Sequence, residues 1–119
     1  MVVDDTATSR GLITDALSVM GVKHVRSANS AAAALTDLAS YPVHLVISDL
    51  TMPEMDGLQF LAALRTGSRT AKIAFILITG RASHDILAEG RKLGMNNLVT
   101  KPFESKDLLK AIEAIVGRI

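Results

Sequence analysis

The sequence predicts an α/β fold in which a doubly wound, five-stranded parallel sheet carries helices on both faces. Short apolar runs alternate with segments of helical periodicity along all 119 residues, which is the pattern of successive β–α units. Two of the apolar runs, Val43–Ser48 and Ile73–Thr79, are almost continuous. Such runs are typical of parallel strands that helices cover on both sides.

The strands are predicted from runs rich in branched apolar residues that end at polar or turn-forming residues. The first run is short, since a central strand usually has about five residues. In chain order the predicted strands are Met1–Val3, Val22–Ala28, Val43–Ser48, Ile73–Thr79 and Asn97–Lys101.

The first and third helices are predicted from apolar residues at helical spacing. These residues are Leu12, Ile13, Ala16, Leu17 and Met20 in the first helix, and Leu58, Leu61 and Leu64 in the third. The alanine-rich segment from Ala31 to Leu38 follows Ser30, a good N-cap residue, and predicts the second helix.

The fourth helix is predicted from Ile86 to Leu93, with Gly94 ending it. The fifth has the clearest apolar face, and Ser105 is its predicted N-cap. The residues of that face are Leu108, Leu109, Ile112, Ile115, Val116 and Ile119.

Composition narrows the class of protein. The length is that of one ordinary domain, and 49% apolar residues are ample for its core. With 13 basic and 12 acidic residues, nothing favours a nucleic-acid or anionic-membrane partner. No apolar run approaches the ~20 residues of a membrane span, and Asp4 and Asp5 interrupt any signal-like start. The absence of cysteine excludes disulfides and thiolate metal sites and fits a cytoplasmic protein.

Five polar residues fall at the carboxyl ends of predicted strands: Asp4, Asp5, Asp49, Thr79 and Lys101. Ligands bind at that edge of an open parallel sheet. Three crowded carboxylates need a cation, and oxygen ligands alone favour Mg²⁺, or Mn²⁺, over zinc. A lysine and a hydroxyl beside the metal suit a transferring phosphoryl group, and a carboxylate can accept that group.

Four segments at the strand ends carry a family resemblance: Val2–Asp5, Val46–Gly57, Ile76–Gly80 and Val99–Phe103. In their order and placement they resemble the receiver domain of two-component response regulators over essentially the whole chain. The resemblance implies a flavodoxin-like strand order of 2-1-3-4-5. It also implies that residues 1–119 form one receiver domain.

The resemblance implies a role for each site residue. Asp49 would accept a phosphoryl group from a histidine kinase. Asp5, Asp49 and the backbone carbonyl of Thr51 would ligate Mg²⁺, and Asp4 would act mainly through water.

The remaining implied roles concern the phosphoryl group itself. Thr79 would bind a phosphoryl oxygen and move inward on phosphorylation, and Lys101 would pair with the phosphoryl group. Pro102 would follow a cis peptide bond.

The implied protein is a phosphoacceptor rather than an enzyme, catalysing only its own phosphoryl transfer and dephosphorylation. It would be a cytoplasmic monomer that signals by protein contact, through the face of the fourth helix, fifth strand and fifth helix. Similarity to chemotaxis-type members suggests a motor-switch, phosphate-sink or relay role.

Leu98 departs from the family pattern, which has Tyr or Phe three residues before the lysine. We therefore predict that switching relies on Thr79 and the following loop, with a smaller change at Leu98. Thr51 and Arg81 flank the path of water to the phosphoryl group in this family. Arg81 would either shield the phosphoryl group or act only as a solvated charge.

Other interpretations remain open at this point. The chain could be a non-switching scaffold, or a receiver excised from a longer transcriptional regulator. Thr6–Ser9 has the character of a flavodoxin-type phosphate loop, but Asp4 and Asp5 would repel a flavin phosphate. Phosphatases with an Asp-x-Asp pair are disfavoured because the two acids here are adjacent.

Overall fold

The computed structural model describes residues 1–117, which form a five-stranded parallel sheet between two layers of helices. The strand order is β2-β1-β3-β4-β5, so the predicted fold class and order are confirmed. In chain order the elements are β1 (Val2–Val3), α1 (Ala7–Val19), β2 (Ser27–Ala28), α2 (Ala31–Ser40), β3 (Leu45–Asp49), α3 (Gly57–Thr66), β4 (Ala74–Thr79), α4 (His84–Lys92), β5 (Asn97–Thr100) and α5 (Ser105–Val116).

The register of the central strands aligns their carboxyl ends. Val3 of β1 pairs with Ser48 of β3, so Asp4 and Asp49 come next on neighbouring strands. Thr79 of β4 pairs with Thr100 of β5, which places Lys101 directly beyond the same edge. All of these pairings are parallel, and therefore side chains distant in sequence gather at one end of the sheet.

The core consists of two apolar clusters, one on each face of the sheet. Helices α2, α3 and α4 cover one face, where Phe60 and Phe75 meet edge to face with ring centroids 5.9 Å apart. Helices α1 and α5 cover the other face, through residues such as Ile13 and Leu108. Helices on both faces leave the carboxyl edge of the strands as the natural place for polar side chains.

Helix ends follow the predicted signals in two of three cases. The Ser30 hydroxyl accepts the Ala33 N–H at 3.1 Å as the N-cap of α2. Gly94 has a φ of +92° just after α4, a conformation that glycine adopts readily. The prediction of Ser105 as N-cap of α5 is wrong. Glu104 is the N-cap, and its N–H donates to the Asp107 carboxylate at 2.9 Å.

The second strand is much shorter than the predicted Val22–Ala28. Only Ser27 and Ala28 pair with β1, because β1 itself offers just Val2 and Val3. Upstream, Val22 and Val25 still pack against the core on the α1–α5 face. Their apolar character therefore reflects packing and not strand pairing.

Two residues of the predicted helical faces point to solvent. Leu12 of α1 is 63% exposed and Val116 of α5 is 53% exposed, although apolar periodicity placed both toward the core. Burial in these helices is confined to narrower stripes, Ile13, Ala16 and Leu17 in α1 and Leu108, Ala111 and Ile112 in α5. Ile119, predicted on the same face of the fifth helix, lies outside the described residues.

Candidate functional site

The three predicted acidic residues lie together at the carboxyl edge of the sheet. Asp4, Asp5 and Asp49 each offer a carboxylate oxygen, and these oxygens lie within 4.8 Å of one another. Asp4 and Asp49 are buried, whereas Asp5 is exposed. The cluster is therefore open to solvent through Asp5 and closed on its inner side.

Local contacts at the start of α1 hold Asp4. The Thr6 N–H donates to Asp4 Oδ1 at 2.9 Å, and the Ser9 hydroxyl donates to Asp4 Oδ2 at 2.5 Å. The Arg10 guanidinium donates to the Asp4 carbonyl oxygen at 2.7 Å. Each carboxylate oxygen thus has a donor, as a buried carboxylate requires.

Asp49 is held by the one lysine that the sequence assigned to the site. Lys101 Nζ lies 3.2 Å from Asp49 Oδ1. Burial raises the pKa of the Asp49 carboxyl above its ordinary value, the Lys101 charge opposes that rise, and the neighbouring Asp4 charge adds to it. The Asp49 carboxylate is therefore a largely buried acceptor beside the Lys101 ammonium group.

Thr79 and Lys101 complete the predicted set. Thr79 is buried at the end of β4, and its hydroxyl accepts the Arg81 N–H at 3.0 Å. Lys101 follows β5, and the Lys101–Pro102 peptide bond is cis, as the family resemblance implied. The hydroxyl and the ammonium group thus stand at the ends of adjacent strands.

Three further residues named from the sequence surround this set. Thr51 is exposed, two positions beyond Asp49, in the loop between β3 and α3. Arg81 is exposed in the loop after β4. Leu98 pairs with Leu77 in the sheet and packs, partly buried, against the core on the α2–α4 face.

The acidic cluster fits a hard divalent cation. Its donors are carboxylate oxygens only, which suits Mg²⁺. Three carboxylates this close disfavour one another's charge, and a cation between them would remove that repulsion. Lys101 carries a single positive charge and can neutralise only one of the three acids. Among residues 1–117 it is the only residue that forms an ion pair with any of them.

The family model for the response regulator receiver domain matches residues 1–113. The chain belongs to this family. The probable chemotaxis protein CheY of Rhizobium etli is 41% identical over 119 residues, covering 100% of this chain and 92% of the relative. The family assignment predicted from the strand-end segments is therefore confirmed, and the chain is a response-regulator receiver, a signalling phosphoacceptor.

Solved receivers share the fold of this one. Chemotaxis protein CheY4 of Vibrio cholerae superposes with a TM-score of 0.89 at 28% identity, over 96% of this chain and 94% of that one. The receiver domain of the sensor histidine kinase PA1611 of Pseudomonas aeruginosa superposes with a TM-score of 0.87 at 20% identity, over 98% and 95%. That protein has a magnesium ion coordinated in its active-site cleft.

The helices of residues 1–117 are too short or too polar to cross a lipid bilayer.

Sequence reasoning missed two residues of the receiver site, Ser9 and Arg10. Both contact Asp4 from the first turns of α1. A signal was present, since helical side chains lean toward the N-terminus and a hydroxyl in the first helical turn reaches back over the preceding strand end. The segment Thr6–Ser9 was noted only as a candidate phosphate loop.

Proposed function

We propose that Asp49 of this receiver accepts a phosphoryl group from the phosphohistidine of a histidine kinase, with Mg²⁺ held by the acidic cluster. The observation that carries the proposal is the position of the Asp49 carboxylate. It lies at once within the three-carboxylate group and 3.2 Å from the Lys101 ammonium. A nucleophile placed between a cation site and a lysine is the arrangement that phosphoryl transfer requires.

In this reaction an Asp49 oxygen attacks phosphorus and the phosphorus–nitrogen bond of the phosphohistidine breaks. The imidazole nitrogen keeps the electron pair of that bond, and Asp49 becomes an acyl phosphate. Mg²⁺, with Mn²⁺ as a second candidate, would neutralise charge on the phosphoryl oxygens. Asp5, Asp49 and the Thr51 carbonyl would hold it, with Asp4 acting through water.

Lys101 and Thr79 would act on the group after transfer. Lys101 is already beside Asp49 and would shift its pairing from the carboxylate to a phosphoryl oxygen. Thr79 would exchange the Arg81 N–H that its hydroxyl now accepts for a role as donor to another phosphoryl oxygen. That exchange frees the backbone at Arg81, and we propose it as the start of the conformational switch.

The readout would pass through the face formed by α4, β5 and α5. Helix α4 has only Gly90 buried, so most of its surface is available to a partner. Leu98 lies under this face without a hydroxyl, and we propose that it changes position less than an aromatic residue would. An active-state structure with Leu98 displaced between exposed and buried positions would contradict this.

We favour a role as a chemotaxis protein, a phosphate sink or a relay, because relatives of this chain are named as chemotaxis proteins. In this proposal residues 1–119 act as one receiver domain, a cytoplasmic monomer that catalyses only its own phosphorylation and dephosphorylation. Its partners are a histidine kinase and a downstream target protein.

The test is incubation with acetyl phosphate and Mg²⁺, read on a phosphate-affinity gel. The parent should shift, and Asp49→Asn should not, because it lacks the nucleophile. Asp15→Asn is the matched control, since Asp15 is an exposed carboxylate on α1, and it should shift like the parent. A parent that takes phosphate neither from acetyl phosphate nor from a histidine kinase would refute the proposal.

A further inference from the structure

Ser9 joins two residues of the site that do not contact each other through a hydrogen bond of their own. Its hydroxyl donates to Asp4 Oδ2 at 2.5 Å and accepts from Lys101 Nζ at 3.3 Å. Lys101 in turn donates to Asp49 Oδ1 at 3.2 Å. A continuous chain therefore runs from Asp49 through Lys101 and Ser9 to Asp4.

The fold explains how residues 92 positions apart come to share a hydrogen bond. Helices α1 and α5 pack on the same face of the sheet, so the start of α1 lies near the loop between β5 and α5. Ser9 is in the first turn of α1, where side chains lean back toward the helix N-terminus. The same lean that brings the Ser9 hydroxyl to Asp4 brings it within reach of Lys101.

A second partner restrains the Lys101 side chain. Its side chain is about one-third exposed, and a lysine carries four flexible bonds that one ion pair leaves largely free. With two acceptors, Asp49 Oδ1 and Ser9 Oγ, the ammonium group is fixed at a point beside the nucleophile. Without Ser9, the same ammonium group could move toward solvent or toward Asp4.

We propose that Ser9 is a positioning residue of this receiver, whose hydroxyl fixes the Lys101 ammonium beside Asp49 for phosphoryl transfer. The role rests on the proposed function of Asp49 and adds a residue to it. The Ser9 hydroxyl bonds to Asp4 and Lys101 and not to Asp49, and so it acts through Lys101. A site that holds its charges in place before the reaction lowers the barrier more than one in which they must first be ordered.

The first experiment follows Lys101 itself in the metal-free protein. Side-chain order parameters of the lysine Cε–Nζ groups are measured by NMR, with the Lys101 signal assigned by its loss in Lys101→Arg. We expect Lys101 to be ordered in the parent and in Ser9→Thr, which keeps the hydroxyl. In Ser9→Ala we expect it to become as mobile as Lys23, an exposed lysine.

The second experiment measures the rate of Asp49 phosphorylation by acetyl phosphate with Mg²⁺. Ser9→Ala should slow the reaction about tenfold, the scale expected when a charged group is misplaced rather than removed. Ser9→Thr should stay within about twofold of the parent. Thr8→Ala is the control, because Thr8 is an exposed hydroxyl on the same turn, and it should leave the rate unchanged.

The outcomes separate this inference from a purely structural role for Ser9. If Ser9→Ala loses stability but keeps both Lys101 order and the parent rate, Ser9 only satisfies the buried Asp4 and the proposal is wrong. It is also wrong if Ser9→Thr is as slow as Ser9→Ala. If Ser9→Ala does not fold, Ser9→Cys replaces it, and its weaker hydrogen bonds should give intermediate order and rate.

Failure of the wider function would look different. A parent that acetyl phosphate and a histidine kinase both leave unphosphorylated overturns the role of Asp49, and the role of Ser9 in transfer falls with it. A phosphorylated parent whose Ser9→Ala variant matches it in rate and in Lys101 order overturns the Ser9 inference alone.

Discussion

Opposing effects act on the pKa of the Asp49 carboxyl. Burial disfavours its charge, as does Asp4, whereas Lys101 favours it. Burial is the largest of these effects, and so the pKa of Asp49 is raised. The charged form of the Asp49 carboxyl is therefore less favourable in the folded protein than in water, and perturbed pKa values of this kind are common at functional sites.

The free energy of unfolding should therefore depend on pH. A carboxyl with a raised pKa binds protons more readily in the folded state, so folding is favoured below that pKa and the advantage is lost as pH rises through it. Asp49→Asn removes the charge and, with it, the cost of burying that charge beside Asp4. Because this cost exceeds the gain from the partly screened pair with Lys101, the free energy of unfolding at pH 7 should rise by up to about 1 kcal/mol. Urea unfolding in metal-free buffer from pH 7 down to pH 4 should show the difference shrinking. A difference that grows on acidification would contradict the raised pKa.

Arg81 offers a test at the next strand end. Its backbone N–H donates to the Thr79 hydroxyl. Its side chain is exposed and belongs to the loop after β4, which would move after phosphorylation. If the side chain shields the acyl phosphate from water, Arg81→Ala should shorten the phosphoryl lifetime about threefold, the effect of removing one modest interaction. Decay of radiolabelled phosphoprotein measures this. Arg69→Ala is the control, because Arg69 is also exposed but lies before the amino end of β4, whereas Thr79 and Arg81 lie at the carboxyl end. An unchanged half-life would leave Arg81 a solvated charge.

At this scale the sequence predicted which residues meet but not all that holds them. Asp4, Asp5, Asp49, Thr79 and Lys101 could be found because each ends a recognisable strand, and parallel strands end at one edge. Ser9 could not be assigned in the same way, because its contact with Lys101 depends on how α1 lies across the sheet. That placement is set by packing between α1 and α5, which periodicity does not encode.

At the scale of elements, Gly57 controls how closely α3 approaches the site. A Cβ on Gly57 would lie 2.5 Å from the Asp49 carbonyl oxygen and 3.0 Å from the Leu50 Cα. Both atoms belong to the backbone and can relax little, so Gly57→Ala should destabilise the protein by about 2 kcal/mol even after the better helix propensity of alanine.

Gly11 of α1 gives the matched control for that measurement. A Cβ there meets nothing within 4 Å, so Gly11→Ala should stabilise the protein by about 0.8 kcal/mol through helix propensity alone. Chemical denaturation of both variants decides the matter. Equal effects at the two positions would mean that close approach at Gly57 is not what constrains the loop after Asp49.

Arg65 ties the end of α3 to two other segments. Its guanidinium donates to the carbonyls of Ala71, Ile73 and Gly94 at 2.8 to 3.1 Å, and burial lowers its pKa. Arg65→Met should cost about 2 kcal/mol of unfolding free energy, since it leaves partly buried carbonyls without donors.

A second surface arginine calibrates the effect. Arg69 donates once, to the Ala39 carbonyl at 3.2 Å, and is exposed, so Arg69→Met should cost no more than about 0.5 kcal/mol. Urea unfolding of both variants provides the comparison. If Arg65→Met were as mild as Arg69→Met, the three contacts would not be stabilising the links from α3 to the segment before β4 and to the end of α4.

The boundaries of β2 and α5 could not be predicted correctly from the sequence. Val22–Ala28 has the composition of a strand, yet only its last two residues pair, because pairing is limited by the partner β1. Glu104 rather than Ser105 caps α5, because Asp107 three residues on supplies the acceptor for its N–H. Both errors concern a partner chosen by tertiary structure, which local propensity does not contain.

For the molecule as a whole, alternation of strands and helices was enough to predict the α/β class. The order β2-β1-β3-β4-β5 required the family resemblance, because β–α alternation is compatible with several orders. The order matters for function, since it sets β1 beside β3 and so brings Asp4 next to Asp49. Metal binding should therefore be linked to the stability of the whole sheet.

That linkage gives the last prediction. A ligand that binds only the folded state stabilises it, by about 2.7 kcal/mol at a hundred times its Kd. Mg²⁺ should therefore raise the urea midpoint of the parent as its concentration increases, and EDTA should reverse the effect. Asp49→Asn should respond far less, because it removes one of the clustered carboxylates, whereas Asp15→Asn should respond like the parent. A parent and an Asp49→Asn variant that gain equally from Mg²⁺ would place the ion elsewhere, and the three acids would then need another explanation for lying within 4.8 Å of one another.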